Sequence, residues 1–224
     1  MLKTAAFIVA ASLCLMAVAA RAGEDLRLPM GPRIKAGIYV DFMHSFKFGK
    51  ISIMQDPDKA LGPEKINVAA AWSLGDGYII VGHTKGTGKA KNVVCFQNGP
   101  GWDIAVHEPP RDNKIGSVEV FVAGDKVLTA SSKWFSLGFH HTSDPAVHDN
   151  YLLFSMEDAI DSDGRPKKTE KGFWVKIQNY EPERNEDGSL YLSPFHAGFD
   201  VSAVKLHYPC ERLVSLLGVE KFHE

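Results

Sequence analysis

The stretch Ser-Val-Glu-Val-Phe-Val-Ala, at Ser117–Ala123, alternates valine with other side chains along its length. Successive side chains of a β-strand point to opposite sides of the sheet, so the valines share one face. The other face carries Ser117, Glu119 and Phe121. A period of two over this length is typical of a strand with one face in a core. The stretch therefore predicts a β-sheet that is buried on one side.

Short runs of this kind recur along most of the chain. Each is rich in valine, isoleucine, phenylalanine, tyrosine or tryptophan, which favour strands. Glycine, asparagine, aspartate and proline separate the runs and are typical of turns. We predict strands at residues 37–43, 46–54, 66–72, 78–84, 92–97, 102–107, 117–123, 126–130, 134–139, 151–156, 173–180, 190–195 and 199–208.

The order of these segments decides the fold class. A parallel α/β fold needs crossover helices between its strands, and the sequence shows no helical period there. Many short strands separated by turns predict an all-β protein, an antiparallel β-sandwich or jelly roll. One short C-terminal helix is expected at residues 211–222, where Leu213, Leu216 and Leu217 form an apolar stripe at helical spacing.

The first 22 residues follow the pattern of a cleavable export signal. Lys3 supplies the basic start, an apolar run follows, and Ala20-Arg21-Ala22 supplies a small-x-small cleavage site. We expect cleavage before Gly23. The mature chain would then begin with an extended lead-in at residues 23–36 and continue as a single β-rich domain at residues 37–224.

The charge and hydropathy of the chain limit the classes of partner that we expect for it. Without the signal, 23 of the 25 basic residues and all 27 acidic residues remain, a net charge of −4 with neutral histidines. Nucleic-acid binders usually carry a basic face, so we expect no nucleic-acid partner. The apolar run of the signal has about 15 residues, fewer than the roughly 20 of a membrane-spanning helix, and no later segment comes closer. The mature protein is expected to be soluble, without a membrane span, and periplasmic or secreted.

Two cysteines, Cys95 and Cys210, remain after removal of the signal. An even count in an exported protein favours a disulfide, and their distance in sequence does not match the CxxC spacing of redox or zinc sites. We therefore predict a Cys95–Cys210 bridge. Two unpaired buried thiols, or a metal or redox pair, are the alternatives.

The predicted strand at 173–180 is the first candidate binding surface. Trp174, Lys176, Gln178 and Tyr180 share one face, while the residues between them supply the core face. Flat rings beside hydrogen-bonding side chains are what a sugar or peptide platform needs. The leading hypothesis is thus an exported β-sandwich that binds a ligand without catalysis, either a glycan or a cell-envelope component. The alternative is that these rings belong to the core.

The densest polar cluster of the sequence lies in a predicted loop and contains His140, His141, Asp144 and His148. Imidazole and carboxylate groups are ligands for transition metals such as copper, zinc and iron. A metal-binding or metal-dependent protein, with copper or zinc as cofactor, is the second hypothesis. Adjacent histidines can point to different sites, so only some of them would bind one ion. A polar surface loop is the alternative.

A polysaccharide hydrolase or lyase is the third hypothesis. Asp103, Glu108 and Glu119 lie on neighbouring predicted strands and are the candidate carboxylates. Glycosidases need two such groups about 5 to 9 Å apart, a separation that the fold decides. The sequence has no GxSxG nucleophile motif. Acidic side chains on the solvent face of a strand are the alternative interpretation.

Overall fold

The computed structural model describes residues 37–47, 56–65, 72–85, 92–109, 114–142, 150–180, 184–185 and 199–210. They belong to one unit, Ile34–Glu224. The strands are β1 (Ile38–Tyr39), β2 (Phe42–Lys47), β3 (Trp72–Ser73), β4 (Tyr78–Thr84), β5 (Val93–Val94), β6 (Phe96–Gln97), β7 (Ile104–His107), β8 (Lys114–Ile115), β9 (Ser117–Ala123), β10 (Trp134–His141), β11 (Tyr151–Phe154), β12 (Lys171–Gly172), β13 (Trp174–Asn179), β14 (Arg184–Asn185), β15 (Asp200–Val201) and β16 (Ala203–Leu206).

Two antiparallel sheets contain most of these strands. The large sheet has the order β10-β9-β13-β4-β2, with β5 paired to β4, and the small sheet has the order β1-β16-β7-β11. Three two-stranded ladders, β12-β6, β14-β8 and β15-β3, complete the pairing among the described residues. Every ladder is antiparallel, which agrees with short connections and with the absence of crossover helices between the predicted strands.

The core lies between the two sheets and follows from the alternation along the strands. The three valines of β9 are fully buried, as are Val175 and Ile177 of β13. Ile104 and Val106 of β7 face them from the small sheet in the same hydrophobic cluster. Two sheets packed through their apolar faces form a β-sandwich. The predicted fold class is therefore confirmed.

The predicted strand boundaries agree best with the observed ones where apolar and polar residues alternate regularly. The predicted strands at 78–84 and 117–123 match β4 and β9. The predicted strand at 126–130 is wrong, because those residues form bends and a turn instead. The predicted strand at 190–195 and the C-terminal helix at 211–222 lie outside the described residues, as does the export signal.

Helices contribute little to the part of the chain that the structure describes. Short 3₁₀ helices occur at Pro57–Ala60 and Met156–Asp158, and each begins with a polar cap, Asp56 and Ser155. Among the described residues, no helix has the length and apolar character needed to cross a membrane.

Candidate functional site

The outer face of the large sheet gathers aromatic and polar side chains from four strands. Antiparallel pairing places Lys176 opposite Phe121 and Gln178 opposite both Glu119 and Tyr78, so these side chains share a face. Ser136 pairs with Phe121, and Phe139 pairs with Glu119. We call this surface the platform; it consists of Tyr78, Glu119, Phe121, Ser136, Phe139, Lys176, Gln178 and Tyr180.

Trp174 lies on the same side of the sheet but is not part of an open surface. Its side chain is only 1% exposed and packs in a satellite apolar cluster with Ile80 and Val93. Its indole Nε1 donates a hydrogen bond to the carbonyl of Lys126 at 3.2 Å. The prediction that Trp174 is exposed is therefore wrong, because β5 and the loop that follows β9 cover this end of the sheet. The open platform begins at Lys176.

Lys176 is held above two rings in the middle of the platform. Its Nζ lies 4.8 Å from the ring centroid of Phe121 and 5.2 Å from that of Tyr78, which is cation–π geometry. Burial lowers the pKa of Lys176, and the negative charge of Glu119 opposes that shift. The ammonium group therefore has a fixed position, with aromatic surface beside it.

A short row of hydrogen bonds crosses the platform next to this lysine. Ser136 Oγ donates to Glu119 Oε1 at 2.7 Å, and Gln178 Nε2 donates to Glu119 Oε2 at 3.2 Å. Each carboxylate oxygen thus has a partner on a different neighbouring strand. The row presents oriented polar groups on a half-buried surface, where hydrogen bonds are stronger than in bulk water.

Two exposed rings border the row at its far end. Phe139 and Tyr180 are 43% and 42% exposed and stack face to face, with ring centroids 3.9 Å apart and an interplanar angle of 6°. Phe139 reaches this face because the pairing of β10 with β9 shifts between Ser136 and Phe139. Gly138, with φ of +87°, supplies the left-handed residue of this bulge. Without the extra residue, Phe139 would point to the opposite face.

The histidines of the predicted metal site diverge where the structure describes them. His140 pairs with Val118 on the core side and has its ring edge against Phe154, with centroids 4.8 Å apart. His141 is on the outer face, with its ring edge against Phe139. Asp144 and His148 lie outside the described residues. Among the residues that the structure describes, no group of three or more His, Cys, Asp or Glu side chains is placed to hold a metal ion. The metal site stays a prediction.

The candidate hydrolase carboxylates do not form one site. Asp103 and Glu108 flank the two ends of β7, about 16 Å apart at 3.3 Å per residue, beyond the separation used by glycosidases. Both bind backbone: Asp103 accepts hydrogen bonds from Gly99 and Met156, and Glu108 accepts one from Asp200. Glu119 belongs to the platform on the other sheet.

A polar cluster that the sequence pattern does not reveal lies on the outer face of the small sheet. Lys205 is 5% exposed, and its Nζ lies 4.7 Å from the ring centroid of Tyr39 and 5.3 Å from that of Tyr151. Tyr39 Oη donates a hydrogen bond to Glu64. Burial lowers the pKa of Lys205, and Glu64 opposes that shift. The tyrosine–lysine cluster thus consists of Tyr39, Glu64, Tyr151 and Lys205.

Neighbouring hydrogen bonds fix this cluster in place. His107 Nδ1 and Ser202 Oγ are 2.5 Å apart, and the His107 ring packs on Tyr151 with centroids 4.7 Å apart. Lys65 Nζ donates to three backbone carbonyls, including that of Ser202, and so holds Glu64 against the sheet. No motif spacing could have revealed the cluster, because strand pairing brings together residues from distant segments.

The predicted disulfide is present. Cys95 and Cys210 are bridged, with Cα atoms 5.5 Å apart, and they are 115 positions apart in sequence. The backbone N–H of Cys210 also donates to the carbonyl of Cys95 at 2.9 Å. The bridge joins the segment between β5 and β6 to the residues that follow β16.

Comparison with known proteins gives no family for this chain. No protein-family model matches the sequence. No curated protein matches it at a level that shows a relationship. A function for this chain is therefore inferred from the geometry of its own residues.

Proposed function

We propose that the chain is exported and that its mature β-sandwich binds a glycan, free or as part of a cell-envelope component, without catalysis. The observation that carries the proposal is the platform, where a stacked pair of exposed rings borders a row of oriented hydrogen-bonding groups. The export pattern at residues 1–22 and the disulfide support a location in an oxidising compartment.

The two parts of the platform would recognise different features of a sugar. The C–H face of a pyranose is apolar and packs on aromatic rings, and Phe139 and Tyr180 offer such surface. Sugar hydroxyls both donate and accept hydrogen bonds, so they suit the amide of Gln178 and the carboxylate of Glu119, while Ser136, which is only 9% exposed, holds Glu119 in position. Because these groups already bond one another, they are oriented before a ligand arrives, which lowers the entropy cost of binding.

Affinity electrophoresis of the mature chain, residues 23–224, through gels containing neutral or acidic polysaccharides tests the proposal. A polysaccharide that binds should retard the wild type. Tyr180→Ala or Gln178→Ala should weaken binding by about tenfold, as truncation of a central contact residue does in other binding interfaces. Phe46→Ala is the matched control, because Phe46 is also exposed, at 39%, but pairs with core-facing Ile79 on the opposite face.

Two outcomes would contradict the proposal. Equal retardation of wild type and both platform variants would place binding elsewhere on the molecule. Release of new reducing ends or of unsaturated products from the bound polysaccharide would show catalysis. An assay of these products with the polysaccharide that retards the protein therefore separates a binding module from a hydrolase or lyase.

A further inference from the structure

A pocket beside the disulfide is unrelated to the platform. Its volume is about 470 Å³, and it is lined by Lys85, Asn92, Val93, Val94, Cys95, Lys126, Phe173 and Cys210. Cavities of this size hold small organic ligands. It lies near the start of β13, whereas Gln178 lies near the other end of that strand and Tyr180 follows it.

The walls of this pocket are fixed by covalent and hydrogen bonds. The disulfide and the hydrogen bond from Cys210 N to Cys95 O hold one wall. Lys85 N donates to Asn92 O at 3.1 Å, which closes the hairpin of β4 and β5. The bond from Trp174 Nε1 to the carbonyl of Lys126 fixes the loop on the third side. These bonds hold the described walls of the pocket in place before a ligand binds.

The described residues that line the pocket are basic or neutral, although the whole chain carries a net charge of −2. Lys85 and Lys126 line the pocket. Lys171 lies nearby, with its Nζ 5.3 Å from the ring centroid of Phe173, which is also a lining residue. Within the part of the chain that the structure describes, no aspartate or glutamate lines the pocket. Phe173, the valines and the disulfide supply apolar surface between the cations.

We propose that this pocket binds a small organic anion, with a phosphate, sulfate or carboxylate group between Lys85 and Lys126 and an apolar body on Phe173. Asn92 supplies an amide for a further hydrogen bond. The proposal is independent of glycan binding, because no platform residue lines the pocket among those described. It adds a second ligand site at the opposite end of the same sheet.

Isothermal titration with phenyl phosphate, phenyl sulfate and benzoate tests the proposal. We expect at least one of them to bind the mature chain with one site, and Lys126→Glu to weaken that binding by about tenfold or more through reversal of a nearby charge. Lys126 is exposed and contributes only its backbone carbonyl to Trp174, so this variant should keep its fold. Lys168→Glu is the matched control, because Lys168 is exposed and does not line the pocket.

Two further probes separate the parts of the ligand. Inorganic phosphate, which lacks a ring, and benzyl alcohol, which lacks a charge, should each bind at least about tenfold more weakly than the aryl anion, a difference of about 1.4 kcal/mol. The proposal is overturned if none of the three aryl anions binds, if benzyl alcohol or inorganic phosphate binds equally well, or if Lys126→Glu and Lys168→Glu behave alike.

Discussion

Asp103 is fully buried beside β7, where its carboxylate oxygens accept hydrogen bonds from the backbone N–H groups of Gly99 and Met156 at 2.9 and 2.7 Å. Burial raises the pKa of Asp103 from 3.8 to about 6. The two hydrogen bonds oppose this shift, while the charges of Glu157 and Asp158 increase it. Between these two pKa values, the folded protein therefore keeps a proton that the unfolded chain releases.

This difference predicts how stability depends on pH. A native state that binds more protons than the unfolded state loses stability as pH rises, so the free energy of unfolding should fall by about 2 to 3 kcal/mol between pH ~4 and ~6. Urea unfolding across this range measures the change. In Asp103→Asn this pH-dependent part of the free energy of unfolding should vanish. Subtracting the pH profile of the variant from that of the wild type cancels the contributions of the other titrating groups. Parallel pH profiles for wild type and variant would contradict the prediction.

Tyr151 is 3% exposed, and its hydroxyl makes no hydrogen bond of normal geometry among the described residues, although the Tyr39 hydroxyl and the Glu64 carboxylate lie near it. Burial, reinforced by the nearby Tyr39 and Glu64, raises the pKa of Tyr151 and keeps the phenol neutral. An unpaired buried hydroxyl costs about 1 to 3 kcal/mol. Tyr151→Phe should therefore raise the free energy of unfolding by about 1 kcal/mol.

Tyr39→Phe is the matched comparison for this prediction. It removes the same group from the same cluster, but the Tyr39 hydroxyl donates to Glu64. That variant should lower the free energy of unfolding, by about 1 kcal/mol, in the same urea titrations. If both variants destabilise the protein equally, the Tyr151 hydroxyl has a partner, such as a buried water.

At the scale of elements, the bulge in β10 links the backbone to the platform. Gly138 has φ of +87°, and a Cβ added there would meet no atom within 4 Å. Gly138→Ala therefore adds backbone strain without a steric clash, at a cost of about 1 to 2 kcal/mol. Relief of that strain by straightening the strand would turn Phe139 away from Tyr180. We expect lower stability in urea together with weaker polysaccharide binding on affinity gels.

Gly164 provides the control, because it also has a positive φ, +74°, and open space around its Cβ position, but lies in an exposed turn. Gly164→Ala should cost a similar amount of stability and leave polysaccharide binding unchanged. Loss of binding in both variants would show that lower stability, and not the position of Phe139, weakens the platform.

The elements also show what the sequence could predict. A period of two predicts that Gln178 and Tyr180 share one face; Gln178 pairs with Glu119, and Tyr180, just after β13, stacks on Phe139 of the same face. It could not reveal that a loop covers Trp174, because alternation distinguishes two faces of a strand but not what packs on each. The segment 126–130 has strand-forming residues, yet Val127 is 73% exposed and its neighbours turn instead. Tertiary context here overrides β-propensity.

The remaining platform residues depend on strand pairing. The sequence alone groups Glu119 with candidate catalytic carboxylates, whereas register places it between Ser136 and Gln178. Phe139 joins them only because one extra residue in β10 changes the face on which it lies. Register and bulges arise from contacts between distant segments, so they cannot be inferred from the local pattern of one strand.

At the scale of the whole molecule, the two sheets share one core, and the disulfide joins segments that belong to different sheets. Cys95 follows β5, which pairs with the large sheet, and Cys210 follows β16 of the small sheet. The shared hydrophobic cluster should make both sheets unfold together. The bridge then stabilises the fold by restricting the unfolded chain, because it keeps two residues that are 115 positions apart in sequence joined after unfolding.

Removal of this bridge in Cys95→Ala/Cys210→Ala should lower the free energy of unfolding by about 5 kcal/mol in the chain-entropy model. Unfolding in urea, followed both by far-ultraviolet circular dichroism and by tryptophan fluorescence, measures the loss. Both signals should shift to lower urea together, since Trp102 precedes β7 of the small sheet and Trp174 begins β13 of the large sheet. Separate transitions for the two signals would show that the bridge, and not the shared core, makes the sheets unfold as one unit.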